Sequence, residues 1–136
     1  MEVIGIILAD DHIIFRKGLR TVLNEIPNVK VLNEASNGHE VLKLMKTEPA
    51  DIILMDINMP GMNGIEATKK VLDKYPETEV IALTMHEEIG YFNEMIKAGA
   101  KGFLLKKTTK EELESAIISV YNGEIYYSEE YPNTKL

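Results

Sequence analysis

DIILMDINMPGMNG (residues 51–64) sets four apolar residues, Ile52 to Met55, between two aspartates and then breaks into a loop carrying Pro60, Gly61 and Asn63. A short continuous apolar run of this kind fits a strand of a parallel sheet covered on both faces. Such a strand cannot bury the Asp56 carboxylate uncompensated. Either Asp56 surfaces at the strand's end, or a partner offsets its charge. The same question arises upstream, where Asp10 and Asp11 follow the apolar run VIGIILA (3–9).

Three further strand-length runs complete the pattern: VKVLNEA (29–35), EVIALT (79–84) and GFLLK (102–106). Helical patterns lie between them. Phe15, Leu19, Val22, Leu23 and Ile26 share one helical face, and Ile89, Phe92 and Ile96 another, with Gly99 suited to a C-terminal cap. Asn37 with Glu40, Asn63 with Glu66 and Thr109 with Glu112 have the spacing of capping boxes. Leu113, Ala116, Ile117 and Val120 form the last stripe. A β-α unit repeated five times predicts a flavodoxin-like α/β fold: a five-stranded parallel sheet in the order 2-1-3-4-5, with helices on both faces. The pattern ends near Tyr121, so residues 1–122 are expected to form one domain and residues 123–136 a tail or the start of a linker.

Composition narrows the function classes. The 136 residues are 45% hydrophobic and 27% charged, as in a globular domain. A net charge of −7 argues against this segment gripping a nucleic-acid backbone. Without cysteine there is no disulfide, thiolate metal site or cysteine nucleophile. No run approaches membrane-spanning length, and Asp10 and Asp11 interrupt what would be a signal-peptide core. A cytoplasmic location without membrane contact is the expectation.

In open parallel sheets ligands bind beyond the C-terminal ends of the strands. If strands one and three are neighbours, Asp10, Asp11 and Asp56 converge there. Two carboxylates about 4 Å apart repel by roughly 4 kcal/mol at an effective dielectric near 20. Three such groups call for a cation, and an all-oxygen set suits Mg²⁺. Thr84 ends strand four and Lys106 ends strand five at the same rim. Acids, metal, hydroxyl and ammonium together would hold a phosphoryl group, with Asp56 placed to attack phosphorus.

Taken together, LADDH, DIILMDINMPGMNG, ALT and AGAKGFLLK resemble the receiver domain of bacterial two-component response regulators, in the family's order over residues 3–121. ADDHIIFRKGLR, AGAKGFLLKK and EELESAIISVYNGEIYYS resemble its NarL/LuxR-type branch. The resemblance implies that Asp56 is the phosphoacceptor. Asp10 and Asp11 would be the acidic pair, Asp11 the more direct metal ligand, and Asn58 would offer its backbone carbonyl to Mg²⁺. Thr84 would be the switch hydroxyl, Lys106 the phosphate-binding lysine and Phe103 the switch aromatic. It implies a sensor histidine kinase as partner, a possible homodimer on phosphorylation, and DNA contact only through a helix-turn-helix domain beyond this chain. Where many receivers carry proline after the lysine, this sequence has Lys107, so a trans bond is expected.

Plainer readings stand beside these. Asp10 and Asp11 could cap the first helix, Thr84 suits a strand end, Phe103 could be a core aromatic, and Asn58 to Gly61 have ordinary turn chemistry. His39 is expected on an exposed first turn and His12 at the rim, while His86 could border the site. A phosphohydrolase of the haloacid dehalogenase type would need a second acid two residues after Asp56, where Asn58 stands. A flavodoxin-like cofactor binder would need a hydroxyl- or glycine-rich loop where ADDHIIF presents carboxylates.

Overall fold

The computed structural model describes residues 2–85 and 90–128. In chain order they form β1 (Ile4–Ala9), α1 (Ile13–Asn24), β2 (Val29–Ala35), α2 (Gly38–Thr47), β3 (Ile52–Asp56), α3 (Gly64–Lys74), β4 (Glu79–Thr84), α4 (Phe92–Ala98), β5 (Gly102–Leu105), α5 (Lys110–Tyr121) and β6 (Tyr126–Tyr127). The sheet order is β2-β1-β3-β4-β5-β6, and every neighbouring pair is parallel. This is the flavodoxin-like order expected from the sequence, extended by one strand.

The sixth strand adds a short edge strand to the expected five, within the segment that follows α5. Tyr126 and Tyr127 pair with Gly102 and Phe103, and the Ser128 amide donates to the Phe103 carbonyl at 2.9 Å. A two-residue strand is too short to show a period. It forms because the edge of β5 offers free ladder groups and because Phe92 gives the Tyr127 ring an edge-on partner at 5.0 Å.

The continuous apolar runs resolve into two faces once the pleat assigns alternate side chains to opposite sides. Ile7, Ala9, Ile53, Met55, Val80, Ala82, Phe103 and Leu105 pack with α2, α3 and α4 through Val41, Met45, Ala67, Val71, Phe92 and Met95. Ile6, Leu8, Ile52, Leu54, Ile81, Leu83 and Leu104 pack with α1 and α5 through Leu19, Leu23, Leu113, Ala116, Ile117 and Val120. Both faces are therefore covered, which is why none of these strands alternates apolar with polar.

The three expected caps are present. Asn37, Asn63 and Thr109 accept from the amides of Glu40, Glu66 and Glu112 at 3.0, 2.9 and 3.0 Å. Gly99 closes α4 with a φ of 114°, a left-handed conformation that glycine adopts at little cost. Ile89, expected on the α4 stripe, lies outside the described residues. Among the described residues there is no cis peptide bond, and none of their helices is long and apolar enough to cross a membrane.

Candidate functional site

Register brings the acids level. Ala9 is paired with Met55 and Asp56 with Leu83, so Asp10, Asp56 and Thr84 leave three adjacent strands at the same rim. Thr84 is paired with Leu105, which places Lys106 one step beyond on the fourth strand. The pleat then sorts them. Asp10, Asp56 and Lys106 continue the series of Leu8, Leu54 and Leu104, which face α1 and α5. Thr84 and Phe103 belong to the series that faces α3 and α4. The ammonium thus meets the carboxylates on one side of the sheet, and the hydroxyl and aromatic ring lie on the other.

Lys106 is the pivot. Its Nζ lies 2.9 Å from Asp10 Oδ2 and 3.3 Å from Asp56 Oδ1, with its side chain 6% exposed. The Phe15 ring sits beneath it at 5.0 Å, a cation–π contact supplied by α1. Burial by itself pulls the ammonium's pKa down. The hydrogen bond to Asp10 and the charges of Asp56 and Asp10 outweigh it, so the group titrates above its ordinary value.

Asp10 and Asp56 are buried, while Asp11 is partly exposed. Asp10 Oδ1 also accepts from the His12 amide at 2.7 Å, so this carboxylate fixes the turn into α1 as well as facing Lys106. The capping reading of Asp10 and its place in the acidic cluster therefore coexist. The N-cap residue of α1 is His12, whose side chain makes no capping bond. His12 Nδ1 lies 3.2 Å from both Asp10 Oδ1 and Lys106 Nζ. A protonated Nδ1 donates to the carboxylate, and an unprotonated one accepts from the ammonium, so the two contacts require opposite tautomers. Sequence reasoning placed His12 at the rim without giving it a role; its position two residues after Asp10 was the available signal.

Ligand atoms of Asp10, Asp11, His12 and Asp56 lie within 4.8 Å of one another. Asp11 Oδ1 is buried and accepts no hydrogen bond among the described residues, with His12 Nδ1 3.7 Å away. Three converging carboxylates opposite a single ammonium, with one buried oxygen still lacking a donor, fit a hard divalent cation.

The remaining expected residues are less tightly drawn in. Asn58 is exposed on the β3–α3 loop, two residues after Asp56. Thr84 is fully buried, and its Oγ1 donates to the Met85 carbonyl at 3.1 Å. Phe103 is fully buried, with the Phe92 ring edge-on at 4.8 Å. His39 is exposed on the first turn of α2. His86 lies outside the described residues.

A doubly wound sheet with an acid pair, a strand-end aspartate and a buried lysine at one rim defines a receiver domain. The family described as "Response regulator receiver domain" matches residues 6–118, and the chain belongs to it. Within that family it is similar to response regulators of the NarL/LuxR type. The response regulator UvrY of Escherichia coli K12 is 41% identical over 123 residues, covering 90% of this chain and 56% of UvrY. The crystal structure of a LuxR-family two-component response regulator from Aurantimonas sp. SI85-9A1 superposes with a TM-score of 0.88 at 31% identity, over 95% of this chain and 92% of that one. The signal receiver domain of a NarL response regulator from Mycobacterium tuberculosis gives 0.85 at 32% identity, over 91% and 100%. The chain spans little more than half the length of the curated relatives it matches.

Proposed function

We propose that the chain is a phosphorylation-controlled switch in which Asp56 accepts a phosphoryl group from the phosphohistidine of a sensor kinase. The observation that carries this reading is the Lys106 ammonium held between Asp10 and Asp56 at 2.9 and 3.3 Å. An Asp56 oxygen forms the new O–P bond. The N–P bond of the donor breaks, and the electron pair returns to the imidazole of the kinase, which takes up a proton. Lys106 is already charged and desolvated beside the acceptor, so it offsets phosphoryl charge with little reorganisation. Asp10, Asp11, Asp56 and the Asn58 carbonyl would hold Mg²⁺, which when bound supplies positive charge to the phosphoryl oxygens.

Thr84 is the reporter of the new charge. Its hydroxyl leaves the Met85 carbonyl for a phosphoryl oxygen, and the packing of Phe103, already seated against Phe92 on the α4 side, shifts in response. Moving such a switch from 1:99 to 99:1 takes about 5.5 kcal/mol of differential interaction. Charge-assisted bonds from an ammonium and a hydroxyl, together with the metal, are of that order. The surface formed by α4, β5 and α5 then changes its contacts, with a homodimer or an output domain. A relative named as the transcriptional regulatory protein DegU and RcsB dimers solved bound to DNA favour a DNA-binding output domain, and we place the switch in the cytoplasm with it. We assign the chain no turnover of an external substrate; phosphoryl acceptance and slow loss of its own phosphoryl group are the chemistry proposed.

Intact-mass analysis after incubation with acetyl phosphate or phosphoramidate tests this. One phosphoryl adduct is expected, dependent on Mg²⁺ and absent in Asp56→Asn. An adduct of equal yield in Asp56→Asn, or none in a folded wild type under any condition, would sink the assignment.

A further inference from the structure

We propose that Arg16 is a positioning residue for the metal loop, a strut that sets the peptide between Asp10 and Asp11 from outside the site. The proposal rests on the reading of Asp10 and Asp11 as metal carboxylates. Arg16 stands on the first turns of α1 with its side chain 13% exposed. Its Nη1 donates to the Asp10 carbonyl at 2.7 Å, the Ala35 carbonyl at 3.1 Å and Ser36 Oγ at 3.0 Å. Its Nε donates to Glu34 Oε1 at 2.7 Å. The planar fork therefore ties the end of β1 to the end of β2, beside the ladder bond from the Asp10 amide to Ala35 at 3.0 Å.

The geometry separates this role from a simple charge effect. Among the described residues, the Arg16 side chain donates to Glu34, Ser36 and the Asp10 and Ala35 carbonyls, and its own charge is matched by Glu34, which also takes Arg20. What Arg16 holds is a main-chain oxygen. The Asp10 carbonyl belongs to the peptide unit that leads into Asp11, so clamping it fixes the plane from which the Asp11 side chain departs. Buried Asp11 Oδ1 then stays with the other ligand atoms without a hydrogen bond of its own. Groups that orient metal ligands in this way typically change metal affinity by about 10–100-fold when removed.

The test compares Arg16→Met, Arg16→Lys and Arg20→Met with wild type. Mg²⁺ dissociation constants are measured by calorimetry, and amide hydrogen exchange at Asp11 and His12 is measured without metal. Arg16→Met is expected to weaken Mg²⁺ about tenfold and to speed exchange at those two amides. Arg16→Lys restores a cation for Glu34 but not the fork, so stability returns while Mg²⁺ binding stays several-fold weak. Arg20→Met loses only an outer arm on Glu34 and binds Mg²⁺ within about twofold of wild type. A wild-type dissociation constant in any folded Arg16 variant overturns the proposal, as does equal weakening in Arg20→Met. If Arg16→Met does not fold, Arg16→Lys decides. Absence of Mg²⁺ binding by wild type would instead reject the metal reading itself, and this proposal with it.

Discussion

Replacing Lys106 with methionine keeps much of the apolar stem and removes the charge that sits over Phe15 and between two buried carboxylates. At an effective dielectric near 20, contacts of 2.9 and 3.3 Å correspond to gross attractions of about 6 and 5 kcal/mol. Most of this is offset by the cost of desolvating the ammonium, which the variant no longer bears. What remains is the penalty of stranding buried charge, about 3–5 kcal/mol. In urea at pH 7 with chelator, the unfolding midpoint should fall by that free energy divided by the slope, with the slope itself unchanged. One control ties the loss to the carboxylates: Mg²⁺ should shrink the deficit, by replacing one cation with another. In wild type the lysine's folded pKa is raised, so its stabilisation is fully present below its ordinary value of 10.5 and is lost only as pH rises through the higher folded value. A loss under about 1 kcal/mol, equal with and without Mg²⁺, would refute the picture and make Lys106 an ordinary solvated pair.

Glu34 predicts the opposite pH sense. Burial pushes its carboxyl up, but the bonds and charges of Arg20 and Arg16 outweigh this and hold it below its ordinary value of 4.5. Its stabilisation is therefore present above 4.5 and lost as pH falls through the lower folded value. Glu34→Gln should cost about 1–2 kcal/mol at pH 7, and the difference from wild type should vanish only in acid, as read by urea unfolding. Gly64→Ala should strike the site through the backbone. A Cβ there would stand 2.1 Å from the Asp56 carbonyl oxygen, so the end of β3 must shift. The expected cost is about 1–3 kcal/mol, with reduced phosphoryl uptake by intact mass; wild-type uptake and stability together would show that the β3–α3 junction is freely adjustable.

Much of the fold was legible because its signals are local. Apolar runs of strand length, three capping pairs and Gly99 at the end of α4 each specify an element within a few residues. The sheet order then follows from right-handed crossovers. The rim was legible for the same reason: in a parallel sheet, the residue that ends a strand lands at the C-terminal edge whatever the helices do. Asp10, Asp56, Thr84 and Lys106 needed only that rule and the neighbouring of β1 and β3.

Three features were illegible, each for a physical reason. β6 is two residues long, and its pairing depends on the edge of β5 and on the Phe92 ring, neither of which is adjacent in sequence. His12 was visible at the rim, but its distance of 3.2 Å to Lys106 spans 94 positions and arises only when the end of β5 reaches the rim that β1 also ends on, with β3 and β4 between them. Arg16 reads as one more cation on an amphipathic helix, because the acceptors that tie it to the site, the Asp10 and Ala35 carbonyls, are main-chain groups that any sequence would supply. Their direction is set by how β1 and β2 end. The side chains that do chemistry carry their identity in the sequence, whereas those that aim them are recognisable only by what they touch. The pleat adds a further consequence of the same kind. Even and odd positions along one strand face different helices, so Lys106 answers to α1 while Phe103 answers to α4. On the proposed reading, a charge arriving at Asp56 would act on both layers at once: it would load the ammonium on the α1 side and draw the Thr84 hydroxyl from the α4 side. That division would let one buried carboxylate serve as a chemical site on one face and as the trigger of a packing change on the other.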